Sequence, residues 1–144
     1  MSFQKIDKES SERKTGRNCI MVYGYSELDL DLIDACRKTA GIDEMIPILE
    51  SEIEWPLERL LEKDAYSLSG FTLDPQPSLA NTIIFSGTSH LELDRFIEAS
   101  KAIAITRPIF AGTTPNNLSW SFEELVDELI KERDEIKKIR AQKR

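Results

Sequence analysis

The sequence predicts an α/β fold in which a β-α-β-α unit occurs twice. Residues 23–31 read YGYSELDLD, and residues 86–94 read SGTSHLELD. With an offset of sixty-three residues, nine of the twenty-seven positions in 20–46 have identical partners. Average composition would give roughly two such identities. These matches predict a duplication, with residues 18–64 and 82–130 as its two copies.

The similarity continues after a slip of two more residues. Trp55, Leu57, Glu58 and Leu60 then align with Trp120, Phe122, Glu123 and Leu125. Both halves therefore read strand, helix, strand, helix. The alternative is that any two strand–helix units carry glycine, serine and leucine at such places, without a common origin.

An apolar run predicts the first strand, and capping residues predict the two ends of the first helix. Residues 19–23 (CIMVY) form an apolar run that Gly24 closes. Ser26 is then placed to cap a helix that continues to about Ala40. Gly41 follows as the residue that best accepts the left-handed conformation at a helix end.

The remaining elements of both halves are placed in the same way. Residues 45–49 are predicted as a strand, and Pro47 indicates an edge position because proline cannot donate to the sheet. A helix is predicted over residues 55–63, with Pro56 in its first turn. Residues 107–111 (RPIFA) are the fourth strand of the fold.

The C-terminal residues predict a long final helix. Ser121 and Glu124 have the spacing of a capping box. The apolar residues that follow recur at helical spacing: Phe122, Leu125, Val126 and Leu129. The domain is therefore predicted to span residues 18–136, with a basic, fraying tail over 137–144.

Two further segments lack periodic patterning. Residues 1–17 are polar and are predicted to be a disordered tail. Residues 65–81 are rich in turn-forming residues and are predicted to be a long loop between the two repeats.

The simplest symmetric arrangement is a small parallel sheet of order 2-1-3-4 with helices on both faces. Its halves would be related by a pseudo-twofold axis along the strands, and the first and third helices would leave the sheet on opposite faces. This topology creates a switch point between strands 1 and 3. Ligands favour the crevice at the carboxyl ends of parallel strands at such a point.

The two repeated turns supply the candidate ligand-binding residues. Gly24, Ser26, Gly87 and Ser89 would face one another across the crevice. The polar loop after the fourth strand and the single histidine complete the candidate set, which adds His90, Thr114, Asn116 and Trp120. The competing interpretation is structural: the glycines make turns, the serines cap helices, the asparagines build a loop and the tryptophan anchors it.

Charge and composition restrict the function classes. The chain has 144 residues and a formal net charge of −7. Residues 18–130 carry twenty acidic and seven basic side chains, so this part of the protein repels polyanions and disfavours nucleic-acid binding. No apolar run is long enough to span a membrane.

No catalytic, metal or cofactor site is predicted. Cys19 and Cys36 fit no metal-binding spacing and are expected to be packed, reduced thiols in a cytoplasmic protein. His90 has no second histidine or cysteine beside it in the sequence. The chain also contains neither a dinucleotide-binding fingerprint nor a phosphate-binding loop.

The second half carries a resemblance. Residues 107–133 (RPIFAGTTPNNLSWSFEELVDELIKER) join an RPIFA-type strand, a TP turn, an NLxW-type loop and an acidic helix. From about residue 83 to residue 133, the chain resembles a family of small bacterial proteins described as a domain of unknown function. The resemblance implies a bacterial, cytoplasmic protein, and it supplies no catalytic residues to carry over.

Two functions follow as expectations. The first is a non-enzymatic binding or regulatory module that contacts a protein partner, or a second copy of itself, through its charged C-terminal helix. The alternative is a small-ligand sensor or enzyme with its site at the switch point between strands 1 and 3.

Overall fold

The computed structural model describes residues 12–67 and 76–142. Three parts of the sequence-based predictions lie outside these residues. They are the first eleven residues of the predicted tail, positions 68–75 of the predicted loop, and the last two residues of the predicted basic tail.

The described residues form four strands and four α-helices. The strands are β1 (Cys19–Tyr23), β2 (Glu44–Ile48), β3 (Thr82–Ser86) and β4 (Ile109–Gly112). The helices are α1 (Glu27–Ala40), α2 (Leu57–Leu60), α3 (His90–Ser100) and α4 (Phe122–Gln142). A 3₁₀ turn at Glu50–Glu52 follows β2.

The strand order is β2-β1-β3-β4, as predicted, but the sheet is mixed. β1 pairs with β2 in parallel and β3 pairs with β4 in parallel. The central pair β1–β3 is antiparallel, with Cys19 opposite Ser86 and Tyr23 opposite Thr82. The prediction of an all-parallel sheet is therefore wrong at this one pairing.

The direction of β3 follows from the way the chain reaches it. The Leu79 amide donates to the Tyr23 hydroxyl at 3.2 Å, and the Ser78 amide donates to the Glu50 carboxylate at 3.2 Å. These contacts hold the incoming chain at the end of the sheet where β1 and β2 finish. An antiparallel neighbour can start there directly, whereas a parallel one needs a crossover back along the sheet.

The reversed strand also changes where the helices lie. Helices α1 and α3 pack against each other on one face of the sheet, and not on opposite faces as predicted. Both β-α-β units are expected to cross right-handed, and right-handed units on antiparallel strands place their helices on the same face. A twofold axis that relates the two predicted repeats would therefore be perpendicular to the sheet instead of along its strands.

Two apolar clusters cover the two faces of the sheet. Side chains alternate along β1, so Ile20 and Val22 face α1 and α3, while Met21 lies in the opposite cluster. Leu30 and Phe96 from the two helices fill the first cluster. The second cluster contains residues from α2 and from the start of α4: Leu57, Leu60, Phe122, Leu125 and Val126.

The segments before α2 and α4 bind each other through reciprocal backbone hydrogen bonds. The Leu57 amide donates to the Trp120 carbonyl at 2.9 Å, and the Phe122 amide donates to the Trp55 carbonyl at 3.1 Å. These are positions that the sequence comparison aligned with each other. The two halves thus meet through equivalent residues, while a common origin for them stays a prediction.

On both edge strands of the sheet, backbone carbonyls accept hydrogen bonds from other parts of the chain. Pro47 lies on the edge strand β2, which confirms its predicted place. Its carbonyl accepts from Lys63 Nζ at 2.6 Å, and the Met45 carbonyl accepts from the Tyr66 amide at 2.7 Å. On the opposite edge, the Gly112 carbonyl of β4 accepts from Asn117 Nδ2 at 3.0 Å.

Candidate functional site

The repeated turns lie at opposite ends of the sheet. Because β1 and β3 are antiparallel, Gly24 lies beside the start of β3 and Gly87 lies beside the start of β1. Six residue steps along the strands separate the two corners, a distance of about 20 Å. The expected crevice between the carboxyl ends of β1 and β3 does not exist, so the predicted switch-point site is corrected.

The corner at Gly24 has a structural role for each of its groups. Gly24 has a φ of +96°, and its carbonyl accepts from Asn81 Nδ2 at 2.7 Å. Ser26 is exposed and caps α1, because its hydroxyl accepts from the Asp29 amide at 3.3 Å. Glu27 and Asp29 place negative charge in this first turn.

The corner at Gly87 is more deeply buried. Ser89 forms a full capping box with Glu92: the Ser89 hydroxyl accepts from the Glu92 amide, and the Glu92 carboxylate accepts from the Ser89 amide. His90 follows in the first turn of α3 and is exposed. The amide and the hydroxyl of Ser89 thus both have hydrogen-bond partners within the protein.

The N-terminal segment crosses this corner, which the sequence did not predict. Asn18 is buried and donates from Nδ2 to the Gly87 carbonyl at 2.7 Å and to Glu92 at 3.2 Å. Arg13 bridges Glu92 and Asp43 at 3.0 Å and 2.9 Å. Residues 13–18 therefore tie the start of the chain to both halves of the fold.

Arg17 adds a second attachment to the same segment. Its guanidinium pairs with Glu44 at 2.8 Å and also donates to the carbonyls of Leu61 and Lys63. The Arg17 hydrogen bond holds the pKa of the Glu44 carboxyl below its usual range, and Glu44 in turn raises the pKa of Arg17. Isolated arginines in a polar stretch belong to no periodic pattern, so these contacts could not be predicted from the sequence.

A pocket of about 370 Å³ lies where β3 and β4 end. These two strands are parallel, so their carboxyl ends meet at one edge of the sheet. Gly87 and Thr114 are the two predicted site residues that line it together. The other polar or small lining residues are Lys14, Thr15, Thr88, Gly112 and Thr113, and the apolar ones include Phe85, Leu93 and Leu118.

Asn117 organises the loop after β4, whereas its neighbour Asn116 is the residue predicted to bind a ligand. Asn117 is buried; its side chain accepts from the Thr114 amide at 2.8 Å and donates to the Gly112 carbonyl. Asn116 is exposed. Thr114, Asn116 and Trp120 line a second groove of about 260 Å³ between this loop and α4.

The two thiols are buried and free. Burial raises the pKa of Cys19 to about 12 and also raises the pKa of Cys36. Both thiols therefore stay protonated near neutral pH, where a thiol is a weak nucleophile. Among residues 12–67 and 76–142, the structure brings together no group of three or more histidine, cysteine or acidic side chains that could hold a metal ion.

The C-terminal helix leaves the body of the protein. Phe122 and Val126 are fully buried at its start, and Leu129 and Ile130 are half-buried. Every side chain from position 131 to position 141 is exposed, including Ile136 at 51% and Ile139 at 52%. We call residues 131–142 the projecting part of α4; it extends about 18 Å.

The end of the projecting part carries a positive net charge, whereas the domain carries a negative one. The first turns of α4 carry four acidic residues and no basic residue before Lys131. From position 136 to position 142 the helix carries Lys137, Lys138 and Arg140 and no acidic residue. The helix therefore presents a basic end with two exposed isoleucines beyond an acidic body.

The family comparison gives a match to the second half of the fold. Residues 81–136 match the family described as Domain of unknown function (DUF3783). This match confirms the resemblance. The matched segment begins one residue before β3 and contains β3, α3, β4 and most of α4. It includes the pocket residues Gly87 and Thr114, as well as Trp120.

No curated protein and no solved structure matches the chain. Within the described parts of the chain, none of the helices combines the length and the apolar character needed to cross a membrane.

Proposed function

We propose that this protein is a non-enzymatic contact module that binds another protein chain through the projecting part of α4. The observation that carries this proposal is the exposure of the helix after Ile130. Residues 131–141 are surrounded by water, and their own sequence contributes little to helix stability because isolated helices of about that length are marginal. A partner that covers Ile136 and Ile139 would supply the missing apolar contact.

The placement of the hydroxyl, thiol and imidazole groups supports contact with protein in place of small-molecule chemistry. Ser26 and Ser89 are occupied as helix caps, and the thiols of Cys19 and Cys36 are buried. His90 is exposed on the first turn of α3.

We further infer a bacterial cytoplasmic setting, which the two buried free thiols and the match to residues 81–136 support.

Photocrosslinking tests the contact. A benzophenone amino acid at position 141, an exposed site, is expected to form covalent adducts in an extract of cells that contain the protein. The double substitution Ile136→Gln with Ile139→Gln should abolish these adducts, because it removes the exposed apolar side chains. Glutamine is at least as good a helix former as isoleucine, so loss of the helix would not explain the result.

The control places the same crosslinker at Thr39, which is exposed on α1 and far along the chain from α4. Adducts that form equally from both positions would count against the proposal. The absence of any adduct from position 141 would contradict it directly, because the projecting part would then have no protein contact.

The pocket at the ends of β3 and β4 supports a second candidate function, the binding of a small ligand. It lies at the carboxyl ends of two adjacent parallel strands, where open α/β sheets favour ligands. Lys14 is the charged residue on its lining, so a ligand with a carboxylate or a phosphate group suits it best. Gly87 and Thr114 keep their candidate roles in this proposal.

A thermal-shift screen tests the second candidate. A small carboxylated or phosphorylated metabolite that binds the pocket is expected to raise the melting temperature of the wild type by several degrees at a hundredfold excess over its Kd. Thr88→Val should lose most of the shift, since Thr88 lines the pocket. Thr39→Val is the matched control and should keep it. A panel without any such shift would remove this candidate.

A further inference from the structure

We propose that the start of α4 binds an arginine side chain from a basic segment of another protein. The binding surface consists of Trp120, Glu124, Asp127 and Glu128, and we call it the Trp120 surface. This inference goes beyond the proposed function, because the Trp120 surface lies at the first turns of α4 and not on the projecting part. The corresponding surface in the first half of the fold already holds an arginine of this chain.

Trp55 and Trp120 occupy corresponding places in the two halves of the fold. Each tryptophan lies two residues before the first residue of a helix, which is Leu57 for α2 and Phe122 for α4. The Trp55 carbonyl accepts from the Phe122 amide, and the Trp120 carbonyl accepts from the Leu57 amide. The correspondence is thus one of position and of hydrogen bonding, and it does not depend on a common origin of the two halves.

The loops that lead to the two tryptophans also correspond. The Leu49 amide donates to the Glu52 carboxylate at 2.9 Å. In the second half, the Thr114 amide donates to the Asn117 side chain at 2.8 Å. These two hydrogen bonds, like the two tryptophans, are sixty-five residues apart in the sequence. Position 59 of the first half therefore corresponds to position 124 of the second half.

The first half holds a guanidinium group on its tryptophan. The Arg59 guanidinium carbon lies 3.8 Å from the centroid of the Trp55 ring, which is the geometry of a cation–π contact. At the corresponding position the second half carries Glu124. Within residues 12–67 and 76–142, no cationic side chain lies over the ring of Trp120 in this way. The second tryptophan therefore lacks the cation that the first one has.

A cavity of about 420 Å³ lies beside the Trp120 ring. The other residues that line it are Glu124, Asp127, Glu128 and Lys131, all of them exposed. Lys131 contacts Glu128 loosely at 3.5 Å, and water screens an exposed pair of this kind. A guanidinium group can stack on an aromatic ring and bind a carboxylate through two hydrogen bonds at once. The cavity offers both kinds of contact to an arginine.

Helix capping explains only one of the three carboxylates. Negative charge stabilises the first turn of a helix, which accounts for Glu124. Asp127 and Glu128 lie beyond that turn, where the helix dipole no longer favours an acid. Glu124 and Glu128 are also four residues apart, so their like charges lie close together and destabilise the helix. An arginine bound beside both of them would remove this repulsion.

The basic segment that fits the Trp120 surface belongs to a different protein. Because α4 is one continuous helix, its own Lys137 stays about 14 Å beyond Glu128 and cannot fold back. In a second copy, three acidic residues precede the basic end of the helix, and they would come close to the carboxylates of the surface. They are Glu132, Asp134 and Glu135. Two copies that each carry a net charge of −7 also repel each other.

A titration of the ¹⁵N-labelled full chain tests the proposal by NMR. The probe is a blocked alanine–glycine peptide that contains two arginines. We expect it to shift the indole N–H signal of Trp120 in a saturable way, with a Kd of about 1 mM or below. Trp55 is the internal control, because Arg59 already covers its ring and its indole signal should move little. Trp55→Phe assigns the two signals.

Glu124→Arg should raise the Kd about tenfold or more, because it places a guanidinium beside Trp120 where the first half has Arg59. The matched control is Glu98→Arg, which makes the same change of charge at an exposed glutamate of α3 and should leave the Kd within about twofold. Glu128→Gln keeps the shape of the side chain and should raise the Kd about threefold, because it removes one carboxylate. A peptide with lysines in place of the arginines should bind at least about threefold more weakly, because an ammonium group does not stack.

Four results would overturn this inference: no saturable shift of the Trp120 indole, equal shifts of both indoles, equal effects of Glu124→Arg and Glu98→Arg, or equal binding of the two peptides. Sedimentation of the full chain adds a fifth. Self-association that Glu124→Arg removes would mean that the Trp120 surface binds a second copy and not a different protein. The adducts from position 141 test the projecting part separately, so the proposed function stands or fails independently of these results.

Discussion

Gly87→Ala is expected to lower the free energy of unfolding by about 3 kcal/mol or more. Gly87 has a φ of +61°, a conformation that costs an alanine about 1–2 kcal/mol. An added Cβ would also lie 2.6 Å from the Gly16 carbonyl oxygen and 2.8 Å from that of Arg17. Both contacts are with backbone, so the N-terminal segment would have to move and weaken its Asn18 hydrogen bonds.

Gly41→Ala is the matched control for the conformational part of this cost. Gly41 has a φ of +84°, and nothing lies within 4 Å of the added Cβ. We expect a loss of about 1–2 kcal/mol there. Urea unfolding of the two variants measures the difference. Equal losses would show that residues 16–17 are not held over Gly87.

Phe122→Ala is expected to cost about 3–5 kcal/mol of folding free energy. Phe122 is fully buried at the start of α4, and its ring centroid lies 4.9 Å from that of Tyr23. Its removal leaves a cavity between the helix and β1. Because Trp55 and Trp120 pack against the same apolar cluster as the Phe122 ring, tryptophan fluorescence and urea unfolding should report the loss together.

Phe122→Leu is the control that keeps most of the buried volume. It should cost roughly 1–2 kcal/mol, as most apolar exchanges of nearly equal size do. A small effect of Phe122→Ala would mean that α4 is not anchored at this point. The proposed contact surface would then lose its rigid base, because the projecting part depends on the buried first turns.

Local signals in the sequence predicted the individual elements well. The apolar run at residues 19–23 coincides with β1, and α1 begins after Ser26 and ends before Gly41. Caps and buried runs depend on neighbouring residues, so they can be read without knowledge of the fold. The capping hydroxyl of Ser121, which accepts from the Glu124 amide at 3.1 Å, is of the same kind.

The direction of β3 could not be obtained in this way. Both β1 and β3 are buried along their whole length, and such runs do not distinguish parallel from antiparallel neighbours. The direction depends on tertiary contacts of the incoming chain, in particular those of Ser78 and Leu79 with Glu50 and Tyr23. The predicted crevice required β1 and β3 to be parallel, so that prediction was wrong for the same reason.

The candidate site was predicted only in part for a related reason. Ser26 and Ser89 have the cap roles that the structural interpretation gave them, and Gly87 and Thr114 meet at a pocket that belongs to β3 and β4. Lys14, from the predicted tail, completes the lining of that pocket. A residue without periodic context cannot be placed until the fold brings it to its neighbours.

The capped edges of the sheet have a consequence for how the protein behaves when crowded. Uncovered strand borders can recruit identical strands and grow into fibrils. Here a proline ring, the Lys63 ammonium group and the Asn117 amide occupy positions where a foreign strand would dock. These groups therefore oppose the addition of a foreign strand along β2 and at the end of β4.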